Sequence, residues 1–409
     1  MDYRVGHVLD VLRAMPEASV HCCVTSPPYW GLRSYQGDQE RVWGDGWRGA
    51  LGLEPVPELF VQHLVEVFRE VRRVLRTDGV VWCNLGDSYC TVPHGPRTTN
   101  TTDPMNPNGR IRDGPKPNRT VIPGFKHKDL MGMPWRVAFA LQAGGWWLRS
   151  DIIWSKVNPM PESIRDRPTK SHEYIFLLAK SDRYFYDADA VREPPADSTM
   201  ARWKGKPYHK RQNEGYDPYF DFETKARQSH EGEQNMGVNE AGRNLRTVWT
   251  IATRPYAAAH FATFSPELVE VCIKAGTSEK GCCATCGAPW ERVIESTGHV
   301  NRREPAHVPG NTPTKTDSTG WGPTTKSTTR WSPACDHGGE PIPCTVLDPF
   351  AGSGTTLGVA KALGRSAIGI DISDEYQGLA KARIASIVKS YQGSADYERV
   401  RTHTLQEYQ

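Results

Sequence analysis

Near residue 350, two glycines stand between a run that reads as a strand and a run that reads as a helix. The stretch is Asp348-Pro349-Phe350-Ala351-Gly352-Ser353-Gly354-Thr355-Thr356. Before it, Thr345-Val346-Leu347 is β-branched and apolar, the mark of a short buried strand. After it, Leu357 to Leu363 reads as a helix, and Gly364 stops it. A strand, a glycine turn and a helix N-terminus in that order belong to an open α/β sheet, where a ligand lies against bare backbone. The next strand, Ser366 to Ile370, ends in Asp371, placed to accept hydrogen bonds from a ribose diol. Gly354 is followed by Thr355-Thr356 and not by Lys-Ser/Thr, so this is not a phosphate loop. The third glycine of a dinucleotide fingerprint is also missing. A nucleoside without phosphates fits the pattern; a tight structural turn is the bland alternative.

A second constraint lies near the other end. Val20 to Thr25 reads as a strand that runs into Ser26-Pro27-Pro28-Tyr29-Trp30. Two prolines end the strand and fix a rigid, extended turn. Rigid acceptors suit chemistry on the exocyclic amine of a nucleobase, a poor nucleophile because its lone pair is delocalised into the ring. The Ser26 hydroxyl and the Pro27 carbonyl are positioned to hold the two amine hydrogens and aim the nitrogen lone pair. Tyr29 offers a face for the base, and such stacking contributes about 1–3 kcal/mol.

These two motifs carry a resemblance. Asp348 to Thr356 resembles motif I of the amino-group DNA methyltransferases, and Ser26-Pro27-Pro28-Tyr29 resembles their Ser/Asp-Pro-Pro-Tyr signature. The order, Pro-Pro-Tyr first and glycine turn late, is similar to the β-type permutation of that family. The resemblance implies an S-adenosyl-L-methionine cofactor and a Rossmann-like, circularly permuted α/β fold. That fold is a mostly parallel sheet with helices on both faces, its two motif-bearing strands adjacent. It implies cofactor contacts at Asp348, Phe350, Gly352, Gly354, Thr355 and Asp371, and a base site at Ser26, Pro27, Pro28 and Tyr29. His260 to Ser265 resembles motif X, which adds Phe264 and Ser265 on the methionine side. As sequence alone, Ser265-Pro266-Glu267 to Gly276 is a well-capped helix. Family members with Ser before Pro-Pro-Tyr lean to N4 of cytosine and those with Asp to N6 of adenine, so cytosine is expected here. The substrate implied is double-stranded DNA with a flipped target base. A cognate restriction endonuclease, or none, completes the setting.

Between the motifs the chain is read in segments. Residues 1–190 form the half bearing the target-base motif. A helix is expected from about Glu58 to Arg76, with Leu59, Leu64, Phe68, Val71 and Leu75 as its core face, ended by Asp78-Gly79. Further strands are expected at Val80–Leu85, Trp146–Trp154 and His172–Leu178, and a helix at Pro134–Ala143. Asp87 is either a site residue or a helix cap. Lys156 and Asn158, in the loop that the resemblance places near the base, are further candidates. Residues 191–245 interleave Lys204, Lys206, Lys210 and Arg211 with Trp203, Tyr208, Tyr216 and Tyr219. Their position matches the family's target-recognition region, although a solvated insertion reads the same way. Residues 246–276 carry the cofactor-site helix, 277–344 a zinc-ribbon insertion and 345–409 the cofactor-binding half.

The ten cysteines bear on the insertion. Cys283 and Cys286 have Cys-x-x-Cys spacing, and Cys335 and His337 complete a tetrahedral set for structural zinc. Cys282 and Cys344 are alternatives for one ligand, and free buried thiols are the rival reading. No apolar run approaches the roughly 20 residues that span a bilayer. The start, Met1-Asp2-Tyr3-Arg4, lacks the apolar core of a signal peptide, so the expected setting is the cytoplasm of a bacterial or phage-infected cell. The net charge of +3 confines any nucleic-acid surface to a patch. Two other classes remain open. One is a non-catalytic, zinc-containing nucleic-acid binder; the other is a methyltransferase of protein or RNA, where similar tetrapeptides occur.

Overall fold

The structure, a computed structural model, describes residues 1–31, 40–90, 122–194, 242–254, 265–297 and 325–392. Phe264 and residues 195–241 of the expected recognition segment lie outside them. In chain order the elements are β1 (Asp2–Val5), α1 (Val8–Arg13), β2 (Val20–Thr25), β3 (Arg41–Val42), β4 (Arg48–Gly49), α2 (Pro57–Val74) and β5 (Leu75–Leu85). Next come α3 (Met133–Ala143), β6 (Trp147–Lys156), β7 (His172–Ala179), β8 (Val248–Ile251), α4 (Pro266–Gly276), β9 (Cys282–Cys283) and β10 (Trp290–Thr297). The last are β11 (Thr325–Pro333), β12 (Pro341–Ile342), β13 (Thr345–Asp348), α5 (Thr355–Ala362), β14 (Ser366–Asp371) and α6 (Asp374–Tyr391).

Eight strands form one sheet in the order β1-β14-β13-β2-β5-β7-β6-β8. Every pairing is parallel except the two made by β7. The two motif-bearing strands are neighbours, Val346 beside Cys22 and Leu347 beside Cys23. From β13 the chain runs through α5 to β14 on one side. From β2 it runs through α2 to β5 on the other. Strand order therefore reverses between β13 and β2, and a crevice opens outside their carboxyl ends, the usual ligand position in such sheets. Helices α1, α2 and α3 cover one face, and α4, α5 and α6 the other.

Burial explains the strands. From Val80 to Leu85, β5 is buried throughout, as expected of a parallel strand covered on both faces. Val81 and Cys83 join the core beneath α2, which buries Phe60, Leu64, Val67, Phe68, Val71 and Val74. Each such side chain contributes roughly 1.5–3 kcal/mol when fully buried. Two expectations shift here. Leu59 is only half-buried, with Phe60 taking the inward position. The helix also ends at Val74, and Asp78-Gly79 lies within β5. A Cβ on Gly79 would meet the Leu75 side chain at 2.6 Å and the His21 carbonyl at 2.9 Å. Pairing with β2 slips between Val20 and Cys22. Gly79 therefore permits a close approach at a strand irregularity and does not stop a helix.

The chain divides into two units, one of residues 1–187, 246–290 and 333–409, the other of residues 188–245 and 291–332. The expected 277–344 insertion is thus split, and its four candidate ligands all belong to the first unit. In the second, β10 and β11 form a two-stranded sheet with Arg292 over the Trp331 ring. Arg243 pairs with Glu193 at 2.7 Å within the same unit. Among the described residues no helix is long and apolar enough to cross a membrane.

Gly276, the last residue of α4, lets that helix reach the sheet: a Cβ would meet Cys22 Sγ at 2.7 Å and Val80 Cγ2 at 3.0 Å. Gly276→Ala is expected to destabilise the protein by about 1–3 kcal/mol, the usual cost of overpacking, read as a lower midpoint in denaturant unfolding.

Candidate active site

On the β13 side the site begins with a buried acid. Asp348, 2% exposed, accepts hydrogen bonds from Thr25 Oγ1 at 2.8 Å, Thr356 Oγ1 at 2.7 Å and the Phe350 N–H at 3.1 Å. Burial raises its pKa to about 6 against these stabilising bonds. Its carboxylate thus ties the ends of β2 and β13 to the start of α5. The following turn needs glycine. Gly352 has φ +48° and Gly354 φ +77°, and a Cβ on Gly354 would lie 3.0 Å from both Ala380 and Ile384 of α6. Gly352 donates its N–H to Asp371 Oδ2 at 2.8 Å and accepts from the Tyr3 hydroxyl at 2.9 Å. Asp371 Oδ1 accepts the Ser373 N–H at 3.0 Å, and burial raises this carboxyl too. Phe350 is half-buried beside the turn. Thr355 is buried, its Oγ1 accepting from Arg383 Nε at 3.0 Å. Ser265 precedes α4, but its hydroxyl bonds Ala252 O and Glu267 and does not cap the helix.

On the β2 side, Ser26-Pro27-Pro28-Tyr29 leaves the carboxyl end of its strand and meets residues that the sequence did not single out. Ser26 Oγ lies 3.3 Å from Tyr29 Oη and 3.4 Å from Asn84 Oδ1. Tyr29 Oη lies 3.1 Å from Asn84 Oδ1 and 2.9 Å from Glu173 Oε2. Asn84 is 2% exposed and turns its Nδ2 to the Tyr174 carbonyl at 3.1 Å. Lys156 pairs with the other Glu173 oxygen. Gly86 makes room for the Tyr29 ring, since a Cβ there would come within 2.4 Å of it. Of the weaker candidates, Lys156 joins this network. Asn158 instead bonds Thr253, accepting from its N–H at 2.8 Å. Asp87 is a cap: its Oδ1 accepts the N–H groups of Ser88 and Met133, each at 2.9 Å, at the start of α3.

A signal for Asn84 existed in the sequence, a lone amide in the apolar run Val80–Leu85. Glu173 gave none, because only an antiparallel β7 brings the start of that strand to the carboxyl edge of the others. Tyr3 was equally hidden, on an edge strand that no motif marks.

The four residues Cys283, Cys286, Cys335 and His337 come together, their ligand atoms all within 4.8 Å of one another. Backbone N–H groups of Cys286 and Thr285 hold the Cys283 thiol below the usual range. Cys282 and Cys344 form a separate group with His21. Both ring nitrogens of His21 already have backbone partners, Nδ1 taking the Thr345 N–H and Nε2 facing the Gly287 carbonyl, each at 3.0 Å.

Residues 20–284 and 344–382 match the N6/N4 family of DNA methylases. The chain is 34% identical over 380 residues to the type II methyltransferase M.SmaI of Serratia marcescens, covering 93% of this chain and 89% of that one. The chain belongs to the N4/N6 DNA methylase family. The type II methyltransferase M.Cfr9I of Citrobacter freundii is 42% identical over 272 residues, 66% of this chain and 71% of its own. A putative DNA modification methylase from Thermus thermophilus, solved with S-adenosyl-L-methionine, is 20% identical with a TM-score of 0.44, covering 95% of this chain and 94% of that one. Both of the methylase's signature motifs lie at the crevice between β13 and β2.

Asp348 makes a pH prediction. Its folded pKa is raised, so stability is lost as pH climbs from the unfolded value toward about 6. Asp348→Asn lacks that loss. It should match wild type near pH 4 and exceed it at pH 8 by up to about 3 kcal/mol, measured by denaturant unfolding across pH.

Proposed function

We propose that this methylase transfers a methyl group from S-adenosyl-L-methionine to the N4 amine of cytosine in duplex DNA. The observation that carries the reading is the adjacency of β13 and β2, which sets the glycine turn and Ser26 at one crevice. The turn suits this cofactor. It has no Lys or Arg between Asp348 and Thr356, as a phosphate ligand would want, and the buried Asp348 with the half-buried Asp371 beside it favours a cationic one. Asp371 keeps lone pairs free on both oxygens for a ribose diol. Gly352 and Phe350 supply backbone and an apolar face. When bound, the cofactor supplies an electrophilic methyl group on a sulfonium. The base must leave the duplex to reach it, at a cost of a few kcal/mol.

The chain's own part is positioning. Asn84 Oδ1 and Tyr29 Oη draw the Ser26 proton outward, which leaves the Ser26 lone pairs to accept an amine N–H. The Pro27 carbonyl takes the second, and Tyr29 supplies the apolar face. Ser26 before Pro-Pro-Tyr, in the family's usual correlation, favours cytosine over adenine. The type II relatives support a role beside a restriction endonuclease or as a solitary modification enzyme, in a bacterial or phage-infected cytoplasm.

The knuckle holds structural zinc in this reading. Three thiols and an imidazole are a closed tetrahedral donor set, with no position left for substrate. Metal analysis should give one zinc per chain, lost on Cys283→Ser together with a fall in melting temperature; a metal-free, fully folded protein would overturn it.

The test of function is nucleoside mass spectrometry of mixed-sequence duplex DNA incubated with enzyme and cofactor. N4-methylcytosine is expected. N6-methyladenine would overturn the base assignment alone, and no methylated base would overturn the DNA substrate. Ser26→Ala should lower the methyl-transfer rate at least about 10-fold, a loss of one hydrogen bond's worth, with cofactor affinity within two-fold.

A further inference from the structure

A line of hydroxyls leaves Ser26 and ends on a carboxylate. Ser26 Oγ is 3.3 Å from Tyr29 Oη, and Tyr29 Oη is 2.9 Å from Glu173 Oε2. Glu173 is held on its other side by Lys156, whose ammonium lies 4.8 Å from the centre of the Trp154 ring. The branch from Ser26 to Asn84 ends on an amide, which does not take up a proton in this pH range. Of these two branches, the one through Tyr29 ends on a basic group, Glu173.

Methylation of an amine must release a proton. The N–C bond forms, the C–S bond breaks with its electron pair left on sulfur, and the nitrogen gives up one hydrogen. We infer that Glu173 receives this proton through Ser26 and Tyr29. The amine hydrogen passes to Ser26 Oγ, the serine proton to Tyr29 Oη and the tyrosine proton to Glu173 Oε2. Both hydroxyls end as they began, the product amine is neutral and the carboxylate becomes a carboxylic acid, which later loses its proton to water. The groups facing Glu173 are Tyr29 from the Pro-Pro-Tyr turn, Lys156 from β6, and Lys170 with Asp87 beside them. Lys170 Nζ is bound to the Asp87 carbonyl at 2.9 Å and senses the charges of both acids.

The inference rests on the amine-methylating activity proposed above. Its test is single-turnover methyl transfer by Glu173→Gln, which keeps an acceptor for Tyr29 and removes the proton acceptor. The rate should fall about 100-fold or more, the usual worth of a positioned base. Cofactor affinity and melting temperature should not change. Beyond any acid-side fall due to Asp348, which wild type and variant share, the wild-type rate should show one further acid limb, and the variant should lack that limb. Tyr29→Phe should lose the same limb, and the double variant should be no slower than the slower single one, because both cut one path. A Glu173→Gln enzyme within two-fold of wild type, or one that keeps the further acid limb, overturns the relay. Should Glu173→Gln fail to fold, retention of the further acid limb in Tyr29→Phe overturns it equally. A wild-type enzyme that methylates no base overturns the relay and the proposed function together; active wild type with unaffected variants overturns the relay alone.

Discussion

Everything at the crevice depends on one buried carboxylate. Asp348 receives Thr25 from β2, Thr356 from α5 and the backbone of Phe350, and so fastens two adjacent strands and a helix at the point where their ends meet. Burial makes that acid costly to ionise, as its raised pKa shows. The two threonine hydroxyls and the backbone N–H offset part of that cost. Removing the acceptor would leave Thr25 as a buried donor without its partner, at a cost of about 1–3 kcal/mol, and Thr356 with only the Val24 carbonyl at 3.4 Å. Asp348, a cofactor contact by resemblance, also holds together the strand ends and the helix start that line the crevice.

Beyond Asp348 the two halves of the site use opposite physics. The glycine half is backbone and apolar surface, made possible by positive φ at Gly352 and Gly354 and closed by Asp371 and Tyr3. The Pro-Pro-Tyr half is side-chain hydroxyl, amide and charge, with its directions of donation fixed by Asn84 on Tyr174. In the proposed reading, cofactor binding and base activation should therefore answer to different substitutions, although the two motifs sit on strands bonded to each other.

Local signals in the sequence marked the strand-turn-helix at 345–363 and the end of β2, because glycine and proline there perform a backbone task that other residues cannot. Helix α2 was legible from apolar spacing and α4 from Ser265-Pro266-Glu267 and Gly276, although the Ser265 hydroxyl does not cap it. What escaped was set by pairing between distant segments. The edge strand β1, which delivers Tyr3 to Gly352, carries no pattern of its own. Asp78-Gly79 looked like a helix stop and was a strand irregularity, since the same glycine serves either need. Glu173 sits in a segment that reads simply as a strand, and its chemistry follows only from the direction in which that strand is laid down.

The Cys283-Cys286-Cys335-His337 cluster proposed to hold zinc and the crevice proposed for the reaction belong to opposite edges of the sheet. His21, near the start of β2, bonds the knuckle carbonyl of Gly287, and Arg76, at the start of β5, holds that of Cys286. Ser26 follows the other end of β2, five residues away, about 16 Å at the rise of an extended strand. At that range a bound ion cannot polarise the base or the cofactor by contact. It can act through the chain it ties down. The ligands Cys335 and His337 precede β12 and β13, and β13 begins where the Thr345 N–H meets His21. A metal there would fix the start of the strand whose far end is Asp348, and its removal would loosen the crevice without touching it.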